Sequence, residues 1–543
     1  MYFNNKLIIA KSKEGFISLN PGMLNRHGVI TGASGSGKTV SLKVIAETLS
    51  SAGIPSIVMD IKGDLSGCAR IGEMNENVLK RVTKLGLDEI NFELKKFPIR
   101  FWDVYGESGH PIRLTVSDLG ATLLSTILGL SEAGESLLSI AFQIAEDNEQ
   151  EIVDLKDLKI LLQDISENAK DLSVAYGNIN PVSINTVIRK ITVLESDNGT
   201  KLFGEPNLDL KDLMKITEES GSGYINIIEC RELIKKPTLY ASLLVWLLSS
   251  FYERMPEVGD LDKPKAVLFL DEAHLIFSEM SKEVIKKITQ IIKLIRSKGI
   301  SVFFISQSPA DIPNEILGQL GNRVQHCLRA YTPQELKAVK VAASTLRENP
   351  NLDTEKAILE LGTGEALVSF VDEEGMPSIV ELAKILPPQS YMGEITKEEF
   401  ENVISNSVME TKYREPLERE TAYEKLSKVR EEKKLAREEL EREKEEEKLA
   451  KEREKKQKEE EKLAREREKE IERQKKEEEK KKKSSTSYKL KKKVTNKLEN
   501  EVINLGTKTI KKALTGSAKK TTKKATSKAT DTIVKSLLKN LFK

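Results

Sequence analysis

The sequence predicts an α/β fold built on a mainly parallel sheet. Three observations lead there. Short apolar runs recur at 27–30 (HGVI), 55–60 (PSIVMD), 224–229 (YINIIE), 266–272 (AVLFLDE) and 301–306 (SVFFIS). Segments with helical spacing separate them, as at 38–49 and 281–298, and strands alternating with helices form doubly wound parallel sheets. The runs are continuously apolar, as in strands covered on both faces.

The elements follow in order. A strand at 27–30 runs into a glycine-rich loop and a helix from Lys38, and a second strand ends at Asp60. Residues from about 70 to 220 are mostly helix-patterned, for example 131–146 and 155–165, and read as an insertion packed on the sheet. Within it, PIRFWDV (98–104) and PIRLTV (111–116) are expected to form a small hairpin through Gly106 and Gly109. The apolar stretch 239–252 is 14 residues long. A membrane span needs about 20, so it reads as a buried helix. Residues 364–382 read as a hairpin turning at 372–375.

Composition changes near the end of the 543 residues. Residues 1–425 have globular composition, 426–483 are nearly all Glu, Lys and Arg, and 484–543 are rich in Lys, Thr, Ser and Ala. The overall charge of +2 hides an asymmetry: 481–543 carries a net +16, leaving −14 on the rest. In the charged zone Lys-Leu-Ala recurs at 434, 448 and 462. That period is two heptads, but it offers too few apolar residues for a strong seam. Pairs such as Glu447/Lys451 and Glu454/Lys458 favour a solvated single helix, with a weak coiled coil as the second reading. Lysine clusters in the tail suit polyanions. Ile533, Val534, Leu537, Leu538, Leu541 and Phe542 share one helical face that could lie on a partner, on the chain's own core or on an anionic membrane surface.

Several classes are excluded. The cysteines are Cys68, Cys230 and Cys327, with no CxxC, so neither a disulfide framework nor a zinc ribbon is expected. The four histidines show no metal-ligand spacing. The N-terminus carries no signal-peptide pattern, and the chain reads as soluble and cytoplasmic.

The strongest motif is Gly32-Ala33-Ser34-Gly35-Ser36-Gly37-Lys38-Thr39, a complete GxxxxGK[ST] between a strand and a helix. Its backbone N–H groups and helix N-terminus suit phosphate oxygens. Lys38 would reach the β- and γ-phosphates of ATP, and the Thr39 hydroxyl would ligate Mg²⁺. The second motif is Asp271-Glu272 at the end of an apolar strand. Asp271 suits the Mg²⁺ ion and Glu272 the polarisation of an attacking water. His274 completes DEAH, a string of one helicase superfamily whose other motifs are not visible here, and reads as a local structural residue. Gln307, at the tip of the strand 301–306, can donate to a phosphate oxygen and accept from water. In Asp60-Ile61-Lys62-Gly63-Asp64, Asp60 or Asp64 could support the metal or a neighbouring subunit; an ordinary polar turn is the equal alternative.

Taken together, HGVITGASGSGKTVSLKVIAE, DIKGDLSG, KLFGEPNL, VLFLDEAHLIF, FISQSPADIP and LGNRVQHCLRAYTPQELKAV resemble the HerA/FtsK-type ATPases, most of all the bacterial HerA-like family of YjgR type. The resemblance covers roughly 5–430. It implies a RecA-like P-loop ATPase core, a homo-oligomeric ring (a hexamer) and a motor on double-stranded DNA, with a nuclease or other protein as partner. It also gives Arg323 and Arg329 a role as arginine fingers reaching a neighbour's γ-phosphate. Archaeal HerA proteins carry an N-terminal barrel. Only 31 residues precede Gly32, so no such barrel is expected here. A rival reading is an ATP-dependent switch or scaffold whose tail binds a partner.

Overall fold

A computed structural model describes residues 1–259 and 261–484. Residues 485–543, with the lysine clusters beyond 483 and the apolar positions from Ile533 to Phe542, lie outside the described residues.

Thirteen strands among the described residues form one sheet. In chain order they are β1 (Tyr2–Phe3), β2 (Lys6–Lys11), β3 (Phe16–Leu19), β4 (Gly28–Thr31), β5 (Ser56–Asp60), β6 (Ile99–Asp103), β7 (His110–Pro111), β8 (Ile225–Glu229), β9 (Ala266–Leu270), β10 (Ile300–Ser306), β11 (Asn322–Gln325), β12 (Glu365–Ser369) and β13 (Glu381–Ile385). The spatial order is β1-β2-β13-β12-β11-β4-β10-β9-β5-β8-β6-β7, with β3 paired to β2. From β11 to β7 every pairing is parallel. From β11 outward through β12, β13 and β2 the pairings are antiparallel. All five apolar runs are strands of the parallel part. The glycine-loop strand β4 and the carboxylate strand β9 are separated by one strand, β10. This is the RecA-like arrangement.

The central strands alternate between two cores, which explains their unbroken apolarity. In β9, Ala266, Leu268 and Leu270 face one core, while Val267 and Phe269 face the other. The first core joins the sheet to the helices Val116–Leu128, Glu132–Asp147, Leu155–Glu167, Pro181–Ser196, Pro237–Arg254 and Lys282–Ile295. The second contains the helix Lys38–Ser51 and the N-terminal strands. The 239–252 stretch lies within Pro237–Arg254, where thirteen consecutive residues from Leu239 to Phe251 are buried.

The 98–116 hairpin is not formed. β6 and β7 run parallel, pairing Trp102 with His110 and Asp103 with Pro111, and the other edge of β6 pairs with β8. The reason is local. The Asp103 carboxylate accepts from the N–H groups of Tyr105, Glu107 and Ser108 at 2.8–3.1 Å, so the chain loops over instead of turning back. The 70–220 region therefore contributes two strands to the sheet as well as helices. The 364–382 hairpin is present: β12 and β13 are antiparallel, and the Gly375 N–H donates to the Asp372 carbonyl.

The chain divides into two compact units, Met1–Lys433 and Lys434–Lys543. The described part of the second unit belongs to the helix Ala422–Ser484. There Lys451–Glu447 and Lys458–Glu454 pair at 2.6 Å, and Leu449 and Leu463 are half exposed. Among the described residues no helix is long and apolar enough to cross a membrane.

Candidate nucleotide site

Strand register sets the site. Thr31 on β4 is level with Ser306 on β10, and Phe304 on β10 is level with Leu270 on β9. Gly32, Gln307 and Asp271, which follow these strand ends, therefore gather at one edge of the sheet. Two strand spacings place the start of the loop about 10 Å from the carboxylate strand, a gap matched to a phosphate chain and its cation. Ligands in open α/β sheets bind at this carboxyl edge.

The loop is shaped by backbone that only glycine adopts easily: φ is +153° at Gly32, +74° at Gly35 and +118° at Gly37. A Cβ on Gly32 would lie 2.5 Å from the Cβ of His326. Gly37 caps the helix Lys38–Ser51 with no side-chain hydrogen bond, which leaves the first-turn N–H groups available to an anion. Ser34 and Gly35 are exposed and Thr39 is half-buried in the first turn. Lys38 is buried, and its Nζ donates to the carbonyls of Gly32 at 2.6 Å and Ala33 at 3.2 Å. Burial, and after it the charge of Lys62, holds the Lys38 ammonium below the usual lysine range.

The carboxylate side is a row. Asp60 on β5 is level with Glu229 on β8, which is level with Asp103 on β6. Asp271 stands one residue past Leu270, itself level with Met59, so it extends the row. Burial first, then the charges of Glu272 and Asp60, push the Asp271 carboxyl up to about 6 against the opposing pull of Lys62. Glu272 is buried and holds left-handed backbone, φ 46° and ψ 48°, a strained conformation typical of functional positions. Burial raises its carboxyl, but the hydrogen bond and charge of Lys62 outweigh that and lower it.

Lys62 is the residue that sequence reasoning missed. Its Nζ lies 2.5 Å from Glu272 Oε1 and 4.0 Å from Asp271 Oδ2. Its only signal in the sequence is its place in the DIKGD string, between two carboxylates. Asp60 instead shapes the turn: its Oδ1 accepts from the N–H groups of Lys62 at 3.0 Å and Gly63 at 2.8 Å. Asp64 is exposed. His274 Nδ1 lies 3.1 Å from Glu272 Oε2 but off the angle a hydrogen bond needs, so both atoms are buried without one.

His326 also went unsignalled, because its partners are distant in sequence. It packs under the loop, with Nε2 2.7 Å from Ser41 Oγ and Nδ1 2.9 Å from the Glu365 carbonyl. Nearby, the Ala33 N–H donates to the Cys327 carbonyl at 2.8 Å.

Gln307 is exposed at the tip of β10, between the strands carrying the loop and the carboxylates. The two arginines differ. Arg323 donates to the carbonyls of Leu320 at 2.8 Å and Leu317 at 3.1 Å, and to that of Thr345. These bonds hold its guanidinium within the chain. Arg329 is exposed, two residues beyond the Cys327 carbonyl that touches the loop.

The model of the helicase HerA-like C-terminal family matches residues 5–539. The chain belongs to this family. Among curated relatives, the DNA double-strand break repair helicase HerA of Sulfurisphaera tokodaii is 22% identical over 378 residues, 66% of this chain and 65% of that protein. The protein of the same name from Sulfolobus acidocaldarius is 24% identical over 383 residues, 69% of this chain and 68% of that one. The chain thus spans about two thirds of the length of these HerA relatives. Among solved structures, the bacterial conjugative coupling protein TrwB matches at 12% identity and TM-score 0.43, covering 69% of this chain and 90% of that one. VirB4 of Thermoanaerobacter pseudethanolicus matches at 14% identity and TM-score 0.44, covering 74% and 99%.

Proposed function

We propose that this HerA-like chain is a Mg²⁺-dependent ATPase that hydrolyses ATP to ADP and phosphate. We further propose that it couples turnover to movement on double-stranded DNA as a cytoplasmic homo-oligomeric ring, expected to be a hexamer. The observation that carries the reading is the convergence of the Gly32–Thr39 loop on β4 and the Asp271-Glu272 pair on β9 at one sheet edge, one strand apart.

The roles follow from position. The loop N–H groups and Lys38 bind the phosphates and offset their charge. Thr39 and Asp271 would hold Mg²⁺, which would supply neutralisation of the charge that develops on the phosphates. The uncapped helix start and the buried Asp271 fit that pairing of anion and cation. Glu272 orients the attacking water, and Gln307 senses the γ-phosphate from the tip of β10. We assign the finger to Arg329, whose exposed side chain is placed to reach a neighbouring subunit. The similarity to proteins named as DNA-repair helicases supports DNA as the track.

The test is phosphate release by the purified protein in Mg²⁺, with EDTA and with the Lys38→Ala variant. Release that ends on adding EDTA and is lost in Lys38→Ala is the expected result. Release indifferent to both refutes the assignment.

A further inference from the structure

We propose that Lys62 is a positioning residue for Glu272: it clamps one carboxylate oxygen so that the other is left to face the attacking water. This rests on the ATPase reading and assigns a residue that the P-loop and carboxylate motifs do not include.

The two oxygens of Glu272 have different surroundings. Oε1 is held by Lys62 Nζ at 2.5 Å. Oε2 is buried without a hydrogen bond; its one polar neighbour is His274 Nδ1 at 3.1 Å, off the angle a hydrogen bond needs. A buried carboxylate oxygen left without a donor is costly, and water is the donor that hydrolysis supplies. As the water oxygen bonds the γ-phosphorus and the bond to the β,γ-bridging oxygen breaks, the water proton passes to Oε2 and ADP leaves.

The clamp is itself built in. Asp60 Oδ1 fixes the turn through the N–H groups of Lys62 and Gly63. Gly63 has φ +84°, and a Cβ there would lie 3.0 Å from the Arg231 guanidinium. Arg231 in turn holds both oxygens of Glu229 at 2.8–3.0 Å. Lys62 thus stands on a turn braced from two adjacent strands, unlike a long side chain that meets an acid by chance on the surface. The left-handed backbone of Glu272 turns its carboxylate toward this clamp. Approach from β5 orients a group on β9 without occupying the side where the loop on β4 binds phosphate.

The experiment measures kcat and KM for ATP in Lys62→Met and Lys62→Arg, alone and in the Glu272→Gln background, with mant-ATP affinity measured on each. Positioning predicts that Lys62→Met lowers kcat about tenfold or more, with mant-ATP affinity kept. Lys62→Arg restores part of the rate, and neither change lowers the residual rate of Glu272→Gln further. A general packing role would instead weaken nucleotide binding and add to the Glu272→Gln defect, which overturns the proposal. So does a Lys62→Met enzyme as fast as wild type, or faster, since Lys62 would then be idle or a restraint. A wild-type protein without turnover overturns the ATPase reading, and this inference with it. An active wild type with an unaffected Lys62→Met overturns this inference alone.

Discussion

His326 Nε2 lies 2.7 Å from Ser41 Oγ, tying the segment after β11 to the helix that follows the phosphate-binding loop. The other ring nitrogen faces the Glu365 carbonyl at 2.9 Å. A carbonyl only accepts, so Nδ1 carries the proton and Nε2 accepts from the Ser41 hydroxyl. The His326 Cβ fills the space that a side chain on Gly32 would need, and the ring edge lies 3.3 Å from where a Cβ on Gly37 would stand. His326→Ala should therefore cost about 1–3 kcal/mol of stability through unpaired buried groups and should weaken nucleotide binding. Urea unfolding and mant-ATP titration measure the two effects; a variant equal to wild type in both would show that the ring does not brace the loop.

Burial makes His27 and His326 reluctant to charge, and both are lowered to about 4 from the usual 6.5. The sign follows directly. Between about 4 and 6.5 the unfolded chain binds protons that the folded chain does not, so these two groups favour unfolding as pH falls through that window. Above 6.5 they contribute nothing. Asp271, raised to about 6, acts in the opposite sense: its proton is held better in the folded state. NMR of histidine-labelled protein should show His27 and His326 failing to titrate above pH 5. If these two titrated near 6.5, their buried neutral state would be wrong.

Arg323 and Arg329 should separate cleanly on substitution. Arg323→Ala strips donors from the carbonyls of Leu317, Leu320 and Thr345 and should destabilise the fold by about 1–3 kcal/mol. Arg329→Ala should leave the melting temperature unchanged. It should cut turnover in the assembled protein by about 10³-fold or more if it is the finger. Calorimetry beside an ATPase assay tells them apart, and the reverse pattern would exchange the roles.

Glu272→Gln keeps the shape of the side chain and removes its basicity. Nucleotide binding should persist while turnover falls about 10²-fold or more. Equilibrium binding followed by single-turnover quench checks this, and hydrolysis at the wild-type rate would remove Glu272 from the chemistry.

The sheet and the loop were legible because their signals are local. Each apolar run lies between two cores, so its pattern survives any rearrangement of its neighbours. The Gly32–Thr39 spacing carries its own geometry. What was not legible depends on pairs far apart in the chain. His326 meets Ser41 across 285 positions, and Lys62 meets Glu272 only because β5 and β9 are neighbours. The resemblance names Arg323 but not the carbonyls of Leu317, Leu320 and Thr345 that it meets in the fold. The 98–116 hairpin failed for a similar reason: Asp103 collects three N–H groups beyond its strand, a turn that apolar patterning does not register.

We propose that ATP hydrolysis at this site drives movement on DNA. Steady-state phosphate release by the full chain, with and without double-stranded DNA at low and moderate salt, tests it most directly beside Lys38→Ala and Glu272→Gln. DNA should stimulate release manyfold, less so as salt rises, and both variants should be silent. Slow turnover indifferent to DNA at either salt would contradict the motor and leave a nucleotide-dependent switch in its place.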